Sequence, residues 1–140
     1  MKSRPRKEDF VYYIGQYFTA EWYYMEDGKL PGLDYYNELG IQDRVRFLQI
    51  VKLYCDSSHG ILLPRTLYRI ENKENRIYAF KPRDERFFNF TVEGAKVIIT
   101  NAYYKHSQQM KKIALECLKT VIRYKQDYLR RVKEGIYYED

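Results

Sequence analysis

The chain has 140 residues, of which 45% are hydrophobic, so it is large enough for one ordinary domain and is not an intrinsically disordered protein. Its formal net charge of +6 favours an anionic partner such as nucleic acid, a membrane surface or an acidic protein. The two cysteines, Cys55 and Cys117, are far apart and form no CxxC pair or Cys/His cluster, which argues against a zinc motif and favours reduced thiols.

The N-terminal region is predicted to be a basic arm followed by extended structure. Residues 1–9 are charged and polar, without an apolar leader, and we expect them to form a flexible arm. The segment from Phe10 to Met25 is rich in Tyr, Phe, Val and Ile, which favours one strand broken near Gly15 or two short strands. No apolar run is long enough to span a bilayer, so we expect a cytoplasmic protein. The lack of repeats and linkers predicts a single domain over residues 10–135, followed by a tail at 136–140.

Two helical segments are predicted next, from Asp34 to Leu39 and from about Gln42 to Cys55, with Gly40 between them. In the second segment, apolar residues recur at spacings of three and four, which is the period of one helix face. The residues of this face, which we expect to point into the core, are Val45, Leu48, Val51 and Cys55.

The period of the hydrophobic pattern then changes to two, which is typical of strands. We expect strands at Arg76–Lys81, Arg86–Val92 and Lys96–Tyr104. Because the intervening turns are short, these strands are predicted to form a three-stranded antiparallel meander.

A long final helix is predicted after the meander, capped by Ser107 and ended by Gly135. Its apolar stripe consists of Met110, Ile113, Ala114, Cys117, Leu118, Val121, Tyr124, Tyr128 and Val132. Its opposite face, which is either a solvated surface or a binding patch, carries Lys111, Lys112, Lys119, Arg123 and Lys125. The order of elements predicts an α+β fold in which an N-terminal strand and helices pack on one face of a twisted antiparallel sheet.

Basic residues cluster at one end of the predicted meander. Lys81 ends the first strand, Arg83 lies in the turn and Arg86 opens the second strand, so the hairpin brings Lys81 and Arg86 close together. The third strand returns beside the second, which places Lys105 and His106 next to Arg86. Like charges gathered in this way repel one another unless an anion relieves them, so the pattern predicts an anion-binding site.

The chemical needs of RNA cleavage match this cluster. Arg86, which we expect at an exposed strand end, offers a planar set of donors for the phosphate in the transition state. Lys81 and Lys105 can neutralise the non-bridging oxygens, and His106 can move a proton to or from the 2′-hydroxyl or the leaving 5′-oxygen. RNA brings its own nucleophile, so we expect neither a metal nor a cofactor. The further residues predicted to bind RNA are Arg83, Lys111 and Lys112.

Several segments, taken in order, carry a family resemblance. They are Leu67–Ile70 (LYRI), Ile77–Pro82 (IYAFKP), Arg86–Phe88 (RFF) and Val97–Gln108 (VIITNAYYKHSQ). The upstream Tyr35–Leu39 (YYNEL) and the final helix, including Lys125–Arg131 (KQDYLRR), follow the same pattern. Together they resemble the RelE/HigB superfamily of bacterial toxins, most closely its phage-derived HigB-like branch.

The resemblance implies N-terminal helices on a twisted antiparallel sheet and the toxin of a type II toxin–antitoxin system. Such a toxin is a metal-independent mRNA endoribonuclease, usually acting on the ribosome and neutralised by a small antitoxin, here expected to carry a helix-turn-helix. By position, Lys81 corresponds to the basic residue closing the family's "LYELR" strand, Arg86 to the one opening the next strand and Lys105 to the first Lys of "FxKK". His106 stands at the second Lys, where it either adds a proton carrier or departs from the family's site.

Two other functions remain open. The chain could be a non-enzymatic relative on the same fold, such as a gyrase-poisoning or inactive phage-derived binding protein, or it could be a passive RNA-binding domain. A Lys or Arg at a strand end is often simply solvated, and the many tyrosines either stack on bases or lie in the core. The absence of an RNP-like or KH-type signature counts against the familiar RNA-binding modules.

Overall fold

Residues 4–58, 63–105 and 110–138, which the computed structural model describes, form an α+β fold around a six-stranded mixed sheet. The helices are α1 (Lys7–Phe10), α2 (Pro31–Asn37), α3 (Ile41–Cys55) and α4 (Met110–Lys133). The strands are β1 (Val11–Ile14), β2 (Thr19–Trp22), β3 (Tyr68–Asn72), β4 (Ile77–Phe80), β5 (Glu85–Val92) and β6 (Lys96–Tyr104). None of the described helices combines the length and the apolar character that crossing a membrane requires.

The predicted meander is confirmed, and the structure adds a fourth strand to it. The strand order is β1-β2-β6-β5-β4-β3, so β3 to β6 form consecutive antiparallel pairs. In contrast, β2 pairs with β6 in parallel, which makes the prediction of a wholly antiparallel sheet wrong. This pairing joins strands from opposite ends of the sequence, and local periodicity carries no signal for such a distant contact.

The aromatic N-terminal segment forms two strands, one of the two alternatives expected from Gly15. A Cβ at Gly15 would lie 2.4 Å from Cβ of Cys55, so this close approach of β1 to α3 requires glycine. The backbone N–H groups of Tyr17 and Phe18 both donate to the carbonyl oxygen of Cys55, at 2.9 and 3.0 Å. Backbone hydrogen bonds therefore hold the hairpin of β1 and β2 against the C-terminal end of α3.

The helices cover both faces of the sheet, so the prediction that they pack on one face is wrong. Phe87 of β5 contacts Phe47 of α3, with ring centroids 4.3 Å apart. Phe90 of the same strand contacts Tyr128 of α4, at 5.6 Å. Every residue of β5 from Glu85 to Phe90 is buried, as expected for a strand with a packed layer on each side. We call these two sides the α3 face and the α4 face of the sheet.

The core-facing side of α3 was only partly predicted. Val51 and Cys55 are fully buried, as expected, together with Phe47 and Ile50. Val45 and Leu48 were also expected in the core, but they are 49% and 40% exposed. Apolar residues lie on both flanks of this helix, and the side that carries Phe47 is the one that packs on the sheet.

The C-terminal region packs more closely than predicted. Tyr137 is only 1% exposed, so the domain extends to at least Tyr138 and the expected tail at residues 136–140 is wrong over this part. Lys125 does not lie on a solvated helix face: its Nζ donates to the carbonyl oxygen of Asn75 at 2.6 Å and lies 5.5 Å from the ring centre of Phe90. Val132, expected in the apolar stripe, is 38% exposed, and the predicted cap Ser107 lies outside the described residues.

Candidate functional site

The β4–β5 turn and the end of β6 are held together by backbone hydrogen bonds. The N–H of Lys105 donates to the carbonyl oxygen of Asp84 at 2.8 Å, and Glu85 is paired with Tyr104 across the sheet. Lys81 directly follows β4, and Lys105 directly follows β6. The structure therefore brings these two lysines to the same end of the sheet, as the sequence predicts.

Arg86 lies in this region, but it is not at an exposed strand end. The residue is only 6% exposed, and its Nη1 donates to the carbonyl oxygens of Arg83 and Glu85 at 2.7 and 2.8 Å. It is an even-numbered residue of β5, like Phe90, and even-numbered residues of this strand point to the α4 face. Burial lowers the pKa of the guanidinium from its ordinary value. Arg86 thus holds the shape of the β4–β5 turn in addition to placing a positive charge there.

The positive charges of neighbouring side chains act on the ammonium group of Lys81. Its Nζ donates to the carbonyl oxygen of Arg65 at 2.8 Å. Burial lowers the pKa of this ammonium group, and the positive charges of Arg86, Arg69 and Lys105 lower it further. Four cations are therefore close enough to interact at one end of the sheet. We call Arg69, Lys81, Arg86 and Lys105 the cationic end.

Three residues in and beside the cationic end were not predicted as site residues from the sequence. They are Arg69, Glu71 and Tyr103. Arg69 of β3 lies beside Ala79, which in turn pairs with Phe88 of β5, so Arg69 shares the α4 face with Arg86. Its Nη2 donates to both carboxylate oxygens of Glu71, at 3.0 and 3.1 Å. Tyr103 is paired directly with Arg86 across β5 and β6.

A carboxylate and a phenol therefore accompany the cations. Burial raises the pKa of Tyr103, and the negative charge of Glu71 raises it further. The phenol consequently stays protonated near neutral pH and can donate a hydrogen bond. Arg69 and Glu71 are two residues apart, a spacing that places two side chains on the same face of a strand. The pair was missed because β3 itself was not predicted from periodicity.

The remaining predicted site residues lie around this cluster. Arg83 is exposed in the β4–β5 turn, with its Nη1 3.4 Å from Oδ1 of Asp43 and 3.2 Å from Oε1 of Gln42 on α3. Lys111 and Lys112 are exposed in the first turn of α4. His106, the predicted proton carrier, lies outside the described residues.

On the α3 face behind Arg86, a buried carboxylate fixes α2 to β5. The hydroxyl of Tyr35 donates to Oε1 of Glu85, which is 8% exposed. Burial raises the pKa of Glu85, and the nearby Asp43 and Asp84 raise it further. The strand that carries Arg86 is thereby anchored from the opposite side of the sheet.

The described part of the site combines a fixed positive field with the carboxylate of Glu71 and the phenolic donor of Tyr103. Arginine and lysine side chains suit phosphate oxygens, and a partly buried carboxylate beside them can accept a proton. A scan against protein-family models finds no match for this chain, and a search of curated proteins finds none either. The residues of the site are therefore the basis for a functional proposal.

Proposed function

We propose that this chain is a toxin of the RelE/HigB type, a metal-independent endoribonuclease that cleaves mRNA in the cytoplasm and so inhibits translation. In this proposal the substrate is mRNA, with or without the ribosome, and a small antitoxin with a helix-turn-helix neutralises the toxin. The observation that carries the proposal is the cationic end, where Arg69, Lys81, Arg86 and Lys105 meet beside Glu71 and Tyr103.

Electrostatics supports an anionic, phosphate-bearing ligand. The cationic end has four positive charges against the single carboxylate of Glu71 among the groups just named, and burial together with this repulsion lowers the pKa of Lys81. A phosphodiester would relieve the repulsion and accept hydrogen bonds from several of these side chains. Because Arg86 uses Nη1 for its hydrogen bonds to the carbonyl oxygens of Arg83 and Glu85, we assign Nη2 and Nε to the phosphate.

The proposed reaction is an internal transesterification. The 2′-oxygen forms a bond to phosphorus while the bond from phosphorus to the 5′-oxygen breaks, giving a 2′,3′-cyclic phosphate and a 5′-hydroxyl. Glu71 takes the proton from the 2′-hydroxyl, because it is paired with Arg69 and its charge acts on Arg86. The proton needed by the leaving 5′-oxygen comes from His106, as the sequence predicts, or from Tyr103. Arg86 and Lys81 stabilise the charge that develops on the phosphate.

One observation favours a second candidate, a non-enzymatic binding protein on the same fold. Two of the five N–H donors of Arg86 are already used by the carbonyls of Arg83 and Glu85, so this residue has a structural role without any ligand. In that case the cationic end would hold RNA or another anion without cleaving it. Gyrase-poisoning or inactive phage-derived relatives belong to this class.

Binding to RNA tests the site separately from cleavage. We expect the full chain to bind a fluorescent single-stranded RNA whose 2′-hydroxyls are methylated and which therefore cannot be cleaved. The double variant Lys81→Ala/Lys105→Ala should lose affinity, and its log–log salt slope should fall by about 1.4, since each single-strand phosphate contact contributes about 0.7.

The matched control replaces two exposed cations of α4, as Lys119→Ala/Arg123→Ala. It removes the same net charge at a different place, so its affinity should stay near that of the parent. Equal losses in the two double variants would mean that only overall charge matters, and the cationic end would then not be the RNA site.

A further inference from the structure

The outward face of α3 exposes an unusual amount of apolar surface. Ile41, Val45 and Leu48 are 69%, 49% and 40% exposed. They lie at positions i, i+4 and i+7, so they form one continuous ridge along the helix. Leu53, on the adjoining part of the outward face, is 45% exposed. Aliphatic side chains grouped in this way are typical of an interaction surface, whereas single exposed ones are ordinary.

The polar residues of this outward face are all neutral or positively charged. They are Gln42, Arg46, Gln49 and Lys52, and each is exposed. The single acid of α3, Asp43, is turned toward Arg83, with Oδ1 of Asp43 3.4 Å from Nη1 of Arg83. Within α3, which is described from end to end, the outward face carries no exposed carboxylate. Asp56, the residue after the helix, is paired with Lys52, with 3.9 Å between Oδ2 and Nζ.

A shallow groove of about 460 Å³ runs along the first half of this face. Its lining consists of Ile41, Gln42, Val45, Arg46, Gln49 and Arg83. Arg83 comes from the β4–β5 turn, so its guanidinium group borders a groove whose other lining residues belong to α3. A row of apolar side chains flanked by carboxylates has the shape and charge to fill such a groove.

We propose that the outward face of α3 binds an amphipathic helix of a partner protein whose apolar ridge is flanked by Glu or Asp. In this complex the ridge packs on Ile41, Val45 and Leu48, and the flanking carboxylates pair with Arg46, Lys52 and Arg83. Charge selects this occupant over a second copy of the chain. Two copies meeting through α3 would bring Arg46 and Lys52 of each against the same residues of the other, while the nearest acids, Asp43 and Asp56, are each already paired with a cation of their own copy.

Apart from Arg83, which borders both, the surface is separate from the candidate site. Phe47 of α3 packs on Phe87, which places α3 on the face of the sheet opposite Arg69, Arg86 and Tyr103. The proposal therefore stands whether or not the chain cleaves RNA.

The test uses two synthetic helical peptides, each long enough to cover the roughly four turns of α3. Both carry the same ridge of leucines at positions i, i+3, i+4 and i+7, and the flanking positions are Glu in one peptide and Lys in the other. Titration of the isotope-labelled full chain is followed by amide chemical shifts. We expect the Glu-flanked peptide to bind with a Kd below about 1 mM and to shift the amide signals of α3 and of the β4–β5 turn. The Lys-flanked peptide should bind with at least tenfold lower affinity.

Variants of exposed residues locate the binding without unfolding the chain. Val45→Asp/Leu48→Asp should abolish binding of the Glu-flanked peptide, whereas Leu115→Asp, at a 53% exposed position of α4, should leave it unchanged. The proposal is overturned if the two peptides bind equally, if neither binds, or if the shifts lie outside α3. It is also overturned if the same amides shift when the protein concentration alone is raised, which would indicate that a second copy of the chain binds there. Shifts caused by phosphatidylserine vesicles but by neither peptide would overturn it as well, because they would indicate a membrane.

Discussion

Arg86, which is buried, and Tyr103, which is partly buried, are directly opposite each other on β5 and β6. Burial keeps the phenol of Tyr103 neutral by raising its pKa, although the neighbouring Arg86 and Arg69 oppose that shift. The pair therefore combines a fixed positive charge with an O–H donor on the α4 face. Glu71 lies close enough to both residues to affect their pKa values, which places all three groups in one electrostatic unit.

Replacing Arg86 should lower the stability of the fold as well as any activity. Arg86→Ala removes the donors for the carbonyls of Arg83 and Glu85, and a lost hydrogen bond of a charged group costs about 2 kcal/mol. Urea unfolding measures this directly, with the exposed Arg83→Ala as the matched control. If Arg86→Ala unfolds at the same urea concentration as the parent, the structural role assigned to this side chain is wrong.

The proposed base can be tested through its charge. Glu71→Gln keeps the size of the side chain but removes the carboxylate, so RNA cleavage should fall about a hundredfold and the acidic limb of the pH–rate profile should disappear. Glu74→Gln, at an exposed position of the β3–β4 turn, removes the same charge outside the site and should leave both unchanged. An unaltered pH profile in Glu71→Gln would assign proton transfer to another group.

The sequence predicted the meander and the gathering of Lys81, Arg86 and Lys105, because both follow from hairpin geometry between neighbouring strands. It did not predict the burial of Arg86, since a strand end looks exposed until a second layer, here α4, covers that face. Arg69 and Glu71 were missed for a related reason: β3 is short, and its residues are intermediate or exposed, so the two-residue period is weak. The parallel pairing of β2 with β6 depends on contacts between distant parts of the chain.

Two carboxylates should contribute to stability with opposite dependence on pH. Burial raises the pKa of Glu85, so its contribution is fully present below the ordinary Glu value and is lost as the pH rises through the raised pKa. Hydrogen bonds from Tyr13 and Gln16 lower the pKa of Asp56, so its contribution is present above the ordinary Asp value and is lost as the pH falls through the lowered pKa.

Urea unfolding as a function of pH separates these two effects. Relative to the parent, Glu85→Gln should be more destabilising at acidic pH than at neutral pH, and Asp56→Asn should be more destabilising at neutral pH. The same sign of pH dependence in both variants would contradict the burial-based account of Glu85.

The C-terminal tyrosine is expected to be essential for the fold. Tyr137 is 1% exposed and stacks on Tyr24 with ring centroids 4.2 Å apart, and its hydroxyl oxygen accepts a hydrogen bond from the backbone N–H of Tyr24 at 3.0 Å. Tyr137→Ala should cost about 3–5 kcal/mol of unfolding free energy, as for other large buried aromatics. Tyr17→Ala, at a 46% exposed position, is the control and should change stability little. Two equal, small effects would contradict the packing role assigned to Tyr137.

Metal-free cleavage tests the central claim most directly. The purified parent is incubated with free mRNA in excess EDTA and, separately, with ribosome-bound mRNA in Mg²⁺ buffer. Lys81→Ala/Lys105→Ala and the control Lys119→Ala/Arg123→Ala are treated in the same way. The proposal predicts fragments ending in 2′,3′-cyclic phosphate from the parent and the control, and a rate reduced by about a hundredfold or more in the site variant. A parent that cleaves nothing under either condition, or a site variant as active as the parent, would contradict the assignment of an RNA endonuclease to this site.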